Sequence, residues 1–125
     1  MRVGDHVEIT RTFAGAEAAE FAALAGRDAP AAAVPEPLIG ALFSYLLGVE
    51  LPGPGTNYLK QEMAFTAPAP WDEPLTARVE VTRLRPDKHL VDLATTCTRA
   101  DGTLVCRGRA LVLFKAPSET APASR

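Results

Sequence analysis

Apolar residues recur along this chain with two different periods, and the changes of period mark out its elements. Val7 and Ile9 alternate with Glu8 and Thr10 ahead of Arg11-Thr12-Phe13, the two-residue period of a short strand or extended entry. Residues 14–24 are dense in alanine and glutamate, which form helices readily. Phe21 and Leu24 stand three apart on one face there, and Gly26 supplies a stop. Pro30 and the Pro35/Pro37 pair then make a loop. Over residues 38–49 the run Leu-Ile-Gly-Ala-Leu-Phe-Ser-Tyr-Leu-Leu-Gly-Val is apolar almost all round, which predicts a buried helix and requires a sheet to wrap it.

Four strands are predicted after that helix. In residues 58–66, Leu59, Gln61, Met63 and Phe65 share a face by the two-residue rule. Leu75, Ala77, Val79 and Val81 alternate with Thr76, Arg78, Glu80 and Thr82, and Pro86-Asp87 closes that strand with turn chemistry. Val91, Leu93, Thr95 and Cys97 continue the alternation, and Asp101-Gly102 signals a hairpin. The last strand sets Leu104, Cys106, Ala110, Val112 and Phe114 on one face. If Asp101 and Gly102 form a two-residue turn, Ala100 faces Thr103 and Cys97 stands opposite Cys106. From residue 116 onward the sequence Ala-Pro-Ser-Glu-Thr-Ala-Pro-Ala-Ser-Arg is too poor in apolar side chains to order itself and reads as a tail. Periodicity alone assigns the α+β class.

With 125 residues, 47% of them hydrophobic and 22% charged, the chain supports one compact domain, residues 1–115, with a real core. A formal net charge of −2, with basic residues scattered along the sequence, gives no footprint for nucleic acid. The start Met1-Arg2-Val3-Gly4-Asp5-His6 has no apolar signal core, and residues 38–49 are too few to span a bilayer, so a soluble cytoplasmic protein is expected. The two cysteines fit a reducing compartment as small buried hydrophobes with free thiols, since a directly cross-strand bridge is often strained. Neither is spaced as a metal ligand, and no cofactor is expected.

The run Leu46-Leu47-Gly48-Val49-Glu50-Leu51-Pro52-Gly53-Pro54-Gly55-Thr56-Asn57-Tyr58-Leu59-Lys60-Gln61 resembles the MaoC-like (R)-specific enoyl-CoA hydratases and 3-hydroxyacyl dehydratases, where such a run follows the central helix. Phe65-Thr66-Ala67-Pro68, Thr76-Ala77-Arg78-Val79-Glu80-Val81 and Asp101-Gly102-Thr103-Leu104-Val105 continue the likeness in the same order and spacing. The resemblance implies a hot-dog fold, an antiparallel sheet wrapped around a central buried helix.

The same resemblance exposes what is missing. The family's active loop is similar to Gly-Asp-x-Asn-Pro-x-His, whose aspartate activates water and whose histidine exchanges the α-carbon proton beside a thioester carbonyl. Matched through Gly26 and Pro30, it places Arg27 at the aspartate, Ala29 at the asparagine and Ala32 at the histidine. A His-Gly pair whose glycine amide polarises the thioester oxygen falls on Pro35-Glu36. Proline has no amide to donate, and the connecting segment is shorter by roughly a dozen residues, an ordinary short loop. A serine kept in the family helix corresponds to Ser44.

Substitutes are few. Asp28 is one position late, where a carboxylate more often caps a helix or sits in solvent, though it could serve as a relocated base. His6 lies in the first strand and His89 in a turn, with no histidine near Asp28 in sequence. Arg27 could pair with an acidic group or a phosphate, against the commoner role of an exposed loop arginine. Ser44 and Tyr45 are commonly satisfied hydroxyls in such a helix. Gly53 and Gly55 suit a tight turn, with amides that could contact an acyl chain, and Trp71 suits packing. The resemblance implies a non-catalytic subunit whose substrate-binding wall comprises Ser44, Leu51, Gly53, Gly55 and Asn57, working on an acyl-CoA or acyl-carrier-protein thioester with a catalytic hot-dog partner that keeps its Asp/His loop. A homodimer that binds acyl thioesters without chemistry, and a hydratase using Asp28, are the alternatives.

Overall fold

The computed structural model describes residues 1–24, 26 and 32–115. Strand β1 (His6–Thr12) leads through helix α1 (Gly15–Leu24) to helix α2 (Glu36–Tyr45), which continues without a break into a π-helical turn, Leu46–Glu50. Strands β2 (Thr56–Phe65), β3 (Pro74–Arg85), β4 (Leu90–Arg99) and β5 (Leu104–Phe114) follow. The five strands form one antiparallel sheet in the order β1-β3-β4-β5-β2, so β1 and β2 are its edges. Pro30 and the tail expected from residue 116 onward lie outside the described residues. No helix among the described residues is long and apolar enough to cross a membrane.

The alternation read in β3 and β4 is the burial observed. Leu75, Ala77, Val79 and Val81 are buried on β3, and Val91, Leu93, Thr95 and Cys97 on β4. Register sets them directly opposite one another, Ala77 with Cys97, Val79 with Thr95 and Val81 with Leu93. Against this face α2 and its π turn bury Ile39, Leu42, Phe43, Leu46 and Leu47. Each large apolar side chain so removed from water contributes about 1.5–3 kcal/mol. The result is the hot-dog arrangement, an α+β fold in which a sheet encloses a central helix. The helix starts two residues before the predicted span, because Pro35 at the N-cap and Pro37 in the first turn need no amide of their own there.

Three local readings are corrected. Helix α1 buries Ala18 and Ala22, while Phe21 is half-buried and Leu24 is 89% exposed. Its first turn is fixed by neighbours: the Ala14 amide donates to Glu17 Oε1 (3.1 Å) and the Gly15 amide to Asp72 Oδ1 (2.7 Å). Strand β2 carries a bulge at Leu59, between the pairs Tyr58–Val112 and Lys60–Leu111. The extra residue flips the alternation, so Tyr58 joins Gln61, Met63 and Phe65 on the inner face and Leu59 does not.

The β4–β5 hairpin has a three-residue loop, closed by the Arg99 amide on the Thr103 carbonyl (2.9 Å), with Gly102 at φ 88°. Cys97 nevertheless pairs with Cys106, because a second bulge at Val105 restores the register that the longer loop shifts. Both thiols are free and buried.

Burial, reinforced by the neighbouring Cys106, pushes the Cys97 thiol from its ordinary value near 9 up to about 11. The fold thus favours the neutral thiol. That contribution to stability is complete below about pH 9 and is lost as pH rises toward 11. Protein isolated without reductant should therefore show the mass of two free thiols, resist alkylation near neutral pH until denatured, and lose stability above pH 9 more steeply than Cys97→Ala. A mass two protons lighter, or rapid native alkylation, would refute this reading.

Candidate functional site

The start of α2 has an unusual donor inventory for a helix N-terminus. Pro35, the N-cap, has φ −59° and ψ 141° and makes no side-chain cap. Prolines at 35 and 37 withhold two amides, and the Leu38 amide is engaged on the Pro35 carbonyl at 3.0 Å. Glu36 adds a carboxylate to what remains. Beside it lies a cavity of about 310 Å³ whose walls include Val34, Ile39, Phe65, Ala67 and Val105. Glu36 is its one ionisable lining side chain among the described residues. Burial, with the Glu36 charge added, pushes the Cys106 thiol up. An apolar cavity with a single carboxylate can accept a hydrogen bond or a proton, but it opposes the build-up of negative charge on a bound carbonyl.

Residues implied by the catalytic-loop resemblance are divided by the structure. Arg27, Asp28 and Ala29 lie outside the described residues. Ala32 is exposed in a bend and has no group to exchange a proton. His6 sits on the edge strand β1 with Nδ1 3.3 Å from the Gly4 carbonyl oxygen. His89, at φ 57°, closes the turn after β3, and its carbonyl accepts from the Phe114 amide at 2.8 Å. Neither histidine lines the cavity at the start of α2. Trp71 packs part-buried against the core, as expected of a packing residue. Among the described residues no group of three His, Cys, Asp or Glu side chains is placed to hold a metal.

At the other end of the helix, Ser44 is exposed and its Oγ accepts from the Tyr58 hydroxyl at 3.4 Å. Half-burial raises the Tyr58 hydroxyl's pKa, and the bond to Ser44 partly offsets it. Sequence reasoning passed over Tyr58 because regular alternation turns it outward, and only the bulge at Leu59 brings it in.

The segment 51–57 is a turn that consumes its own polar groups. The Leu51 amide bonds to the Leu46 carbonyl (2.8 Å) and the Gly53 amide to Leu47 (3.0 Å), while the Gly53 carbonyl accepts both the Thr56 hydroxyl (2.7 Å) and the Thr56 amide (3.2 Å). Gly53 and Gly55 stand at φ 94° and 99°, where a side chain is strained. A Cβ at Gly55 would also collide with the Lys115 carbonyl. Asn57 pairs with Leu113 on the outer face, while its neighbour Tyr58 faces in. Of the five residues expected to form one wall, Ser44 therefore meets Tyr58. Leu51 and Gly53 serve the turn, Gly55 serves a close backbone approach, and Asn57 faces away.

No family model matches the chain. It is 36% identical over 126 residues to the (R)-specific enoyl-CoA hydratase of Aeromonas caviae, across 90% of this chain and 94% of that protein. The solved structure of an A. caviae (R)-hydratase involved in PHA biosynthesis matches with a TM-score of 0.81 and 35% identity, covering 92% of this chain and 98% of that one. An unliganded R-hydratase from Pseudomonas aeruginosa matches at 0.76 and 31% identity, covering 100% and 93%. The ChsH1-ChsH2 complex from Mycobacterium tuberculosis, at 0.69 and 13% identity over 91% of this chain and 98% of that one, shares the fold.

Because Gly55 answers a backbone requirement, Gly55→Ala should lower unfolding stability in urea by about 1–3 kcal/mol with no ligand present. Exposed Asn57→Ala should stay within about 0.5 kcal/mol of the parent. Unchanged stability in Gly55→Ala would show that the glycine is not needed by the fold.

Proposed function

The chain belongs to the (R)-specific enoyl-CoA hydratase family of MaoC-like hot-dog proteins, and we propose that within it this member is a non-catalytic subunit of a heteromeric enoyl hydratase or 3-hydroxyacyl-thioester dehydratase. It contributes a tunnel wall and an interface, and a hot-dog partner with an intact Asp/His loop contributes the chemistry. The observation that carries this reading is the joint replacement of base, acid and amide donor. Arg27, Ala29 and Ala32 occupy the loop positions, and Pro35-Glu36 occupies the helix start. General acid–base groups contribute about 10²–10⁴-fold each, and an oxyanion donor about 10²–10³-fold. An arginine and alanines cannot exchange those protons, and a carboxylate beside the helix start opposes an enolate.

Exposed surface supports pairing. Edge strand β2 presents Tyr58, Leu59 and Met63, and the helix and its π turn add Tyr45 and Val49, all at least 39% exposed. An unpaired strand edge with apolar side chains is a template for another strand. Edge-to-edge union there would bury on the order of 1,500 Å² or more and set Ser44 and Tyr58 beside the partner's groove. The ligand of such a pair is an acyl-CoA or acyl-carrier-protein thioester, in keeping with the activity named for the relatives.

Two outcomes test the proposal. The isolated chain should show no appreciable hydration of crotonyl-type thioesters. Hydration abolished by Asp28→Asn would instead establish a relocated base. Co-expression with a catalytically intact hot-dog subunit should give a mixed oligomer, with activity well above either chain alone. Mutating the partner's aspartate or histidine should abolish that activity, while Arg27→Ala or Asp28→Ala should change it modestly. Separate homodimers, or a partner fully active by itself, would overturn the heteromeric reading in favour of a thioester-binding homodimer.

A further inference from the structure

Basic residues far apart in sequence converge on the outer face of the sheet, the face turned away from α2. Cross-strand register sets Ala64, Arg107 and Thr96 in one row and Glu62, Arg109 and Ala94 in the next. These six residues line a groove of about 610 Å³, the size of a small-molecule site. A smaller cavity of about 220 Å³ shares Glu62 and Arg109 with it and adds Lys60, Arg85 and Asp92. Four cations and two carboxylates thus line a continuous surface, an excess of positive charge on a chain whose formal net charge is −2.

Both carboxylates are already engaged. Glu62 lies 3.3 Å from Lys60 Nζ and 3.3 Å from Arg109 Nε, and those cations hold its carboxyl below the usual range. Asp92 lies 2.8 Å from an Arg85 nitrogen. Among the described residues Arg107 has no carboxylate within ion-pair reach. Two residues apart on one strand, Arg107 and Arg109 project from the same face about 7 Å apart. Their planar forks suit phosphoryl oxygens, which accept two hydrogen bonds at once. Ala64, Ala94 and Thr96 leave a low, largely apolar floor between them. Gly108, between the two arginines, allows β2 and β5 to approach closely there, since a Cβ would collide with the Glu62 carbonyl.

We propose that this outer groove binds a nucleoside diphosphate group, with Arg107 and Arg109 on the phosphates and the small-residue floor beneath the planar base. The same chemistry is offered by a free nucleotide and by the nucleotide end of a coenzyme A thioester. The site lies outside the cavity at the start of α2 and does not depend on whether this chain is catalytic.

Calorimetric titration of the folded chain at low ionic strength, with ADP, coenzyme A, orthophosphate and hexaglutamate as separate probes, tests the proposal. ADP and coenzyme A should bind saturably, and orthophosphate and hexaglutamate much more weakly. Equal affinities for the first two identify a free nucleotide, and a tighter coenzyme A identifies the thioester carrier. Arg107→Glu and Arg109→Glu should each weaken binding about tenfold or more and keep the parental melting temperature, because both side chains are exposed. Ala64→Trp, which fills the groove without changing charge, should abolish binding. The proposal fails if neither nucleotide binds, if binding survives both arginine reversals, or if hexaglutamate binds as tightly as ADP and is indifferent to Ala64→Trp.

Discussion

Helix α2 is held by one packed face: Ile39, Leu42, Phe43, Leu46 and Leu47 turn onto the sheet, while Ala41, Ser44, Tyr45, Gly48 and Val49 on its other side are exposed. Removing those five large side chains from water is the contribution on which the placement of α2 against the sheet depends. Strand β3 as far as Val81 and strand β4 supply the floor with regular alternation, and β5 adds Val105, Cys106, Ala110 and Val112. The π turn at Leu46–Glu50 extends the buried run past the regular helix before the chain turns into β2.

The same packing is independent of the groups at the start of α2. Neither Ala32 nor the Glu36 side chain belongs to the buried core. At the helix start Pro35, Pro37 and the Glu36 carboxylate set the donor inventory. Beside it lies an apolar cavity with one ionisable lining side chain, Glu36, among the described residues. Scaffold and chemistry are separable because packing is carried by side chains facing inward, away from the groups at the start of α2.

Bulges are the second device on which the details depend. Each inserts one residue and exchanges the faces of the sheet beyond it. At Leu59 the exchange brings Tyr58 to Ser44. At Val105 it cancels the shift of the three-residue loop and keeps Cys97 against Cys106, and at Thr82 it lets the twisted end of β3 continue against Asp92 and Val91.

Short-range pattern determined much of this molecule. The types and order of the elements, the inward residues of β3 and β4, the buried helix and the hydratase likeness are all written in neighbouring residues, because a period of two or an all-apolar turn is a local property. Arg27, Ala29 and Ala32, on which the proposed lack of chemistry rests, are likewise a matter of residue identity. Only the tertiary structure decided that α1 packs through Ala18 and Ala22 rather than Phe21 and Leu24, since close approach to the core favours small side chains. Only it decided that Asn57 faces out and Tyr58 in, that Gly55 answers to Lys115, and that Lys60, Arg85, Arg107 and Arg109 share one surface. Each of these depends on strand register and bulge position, which sum contributions from segments 20 to 60 residues apart and leave no mark in any short window of the sequence.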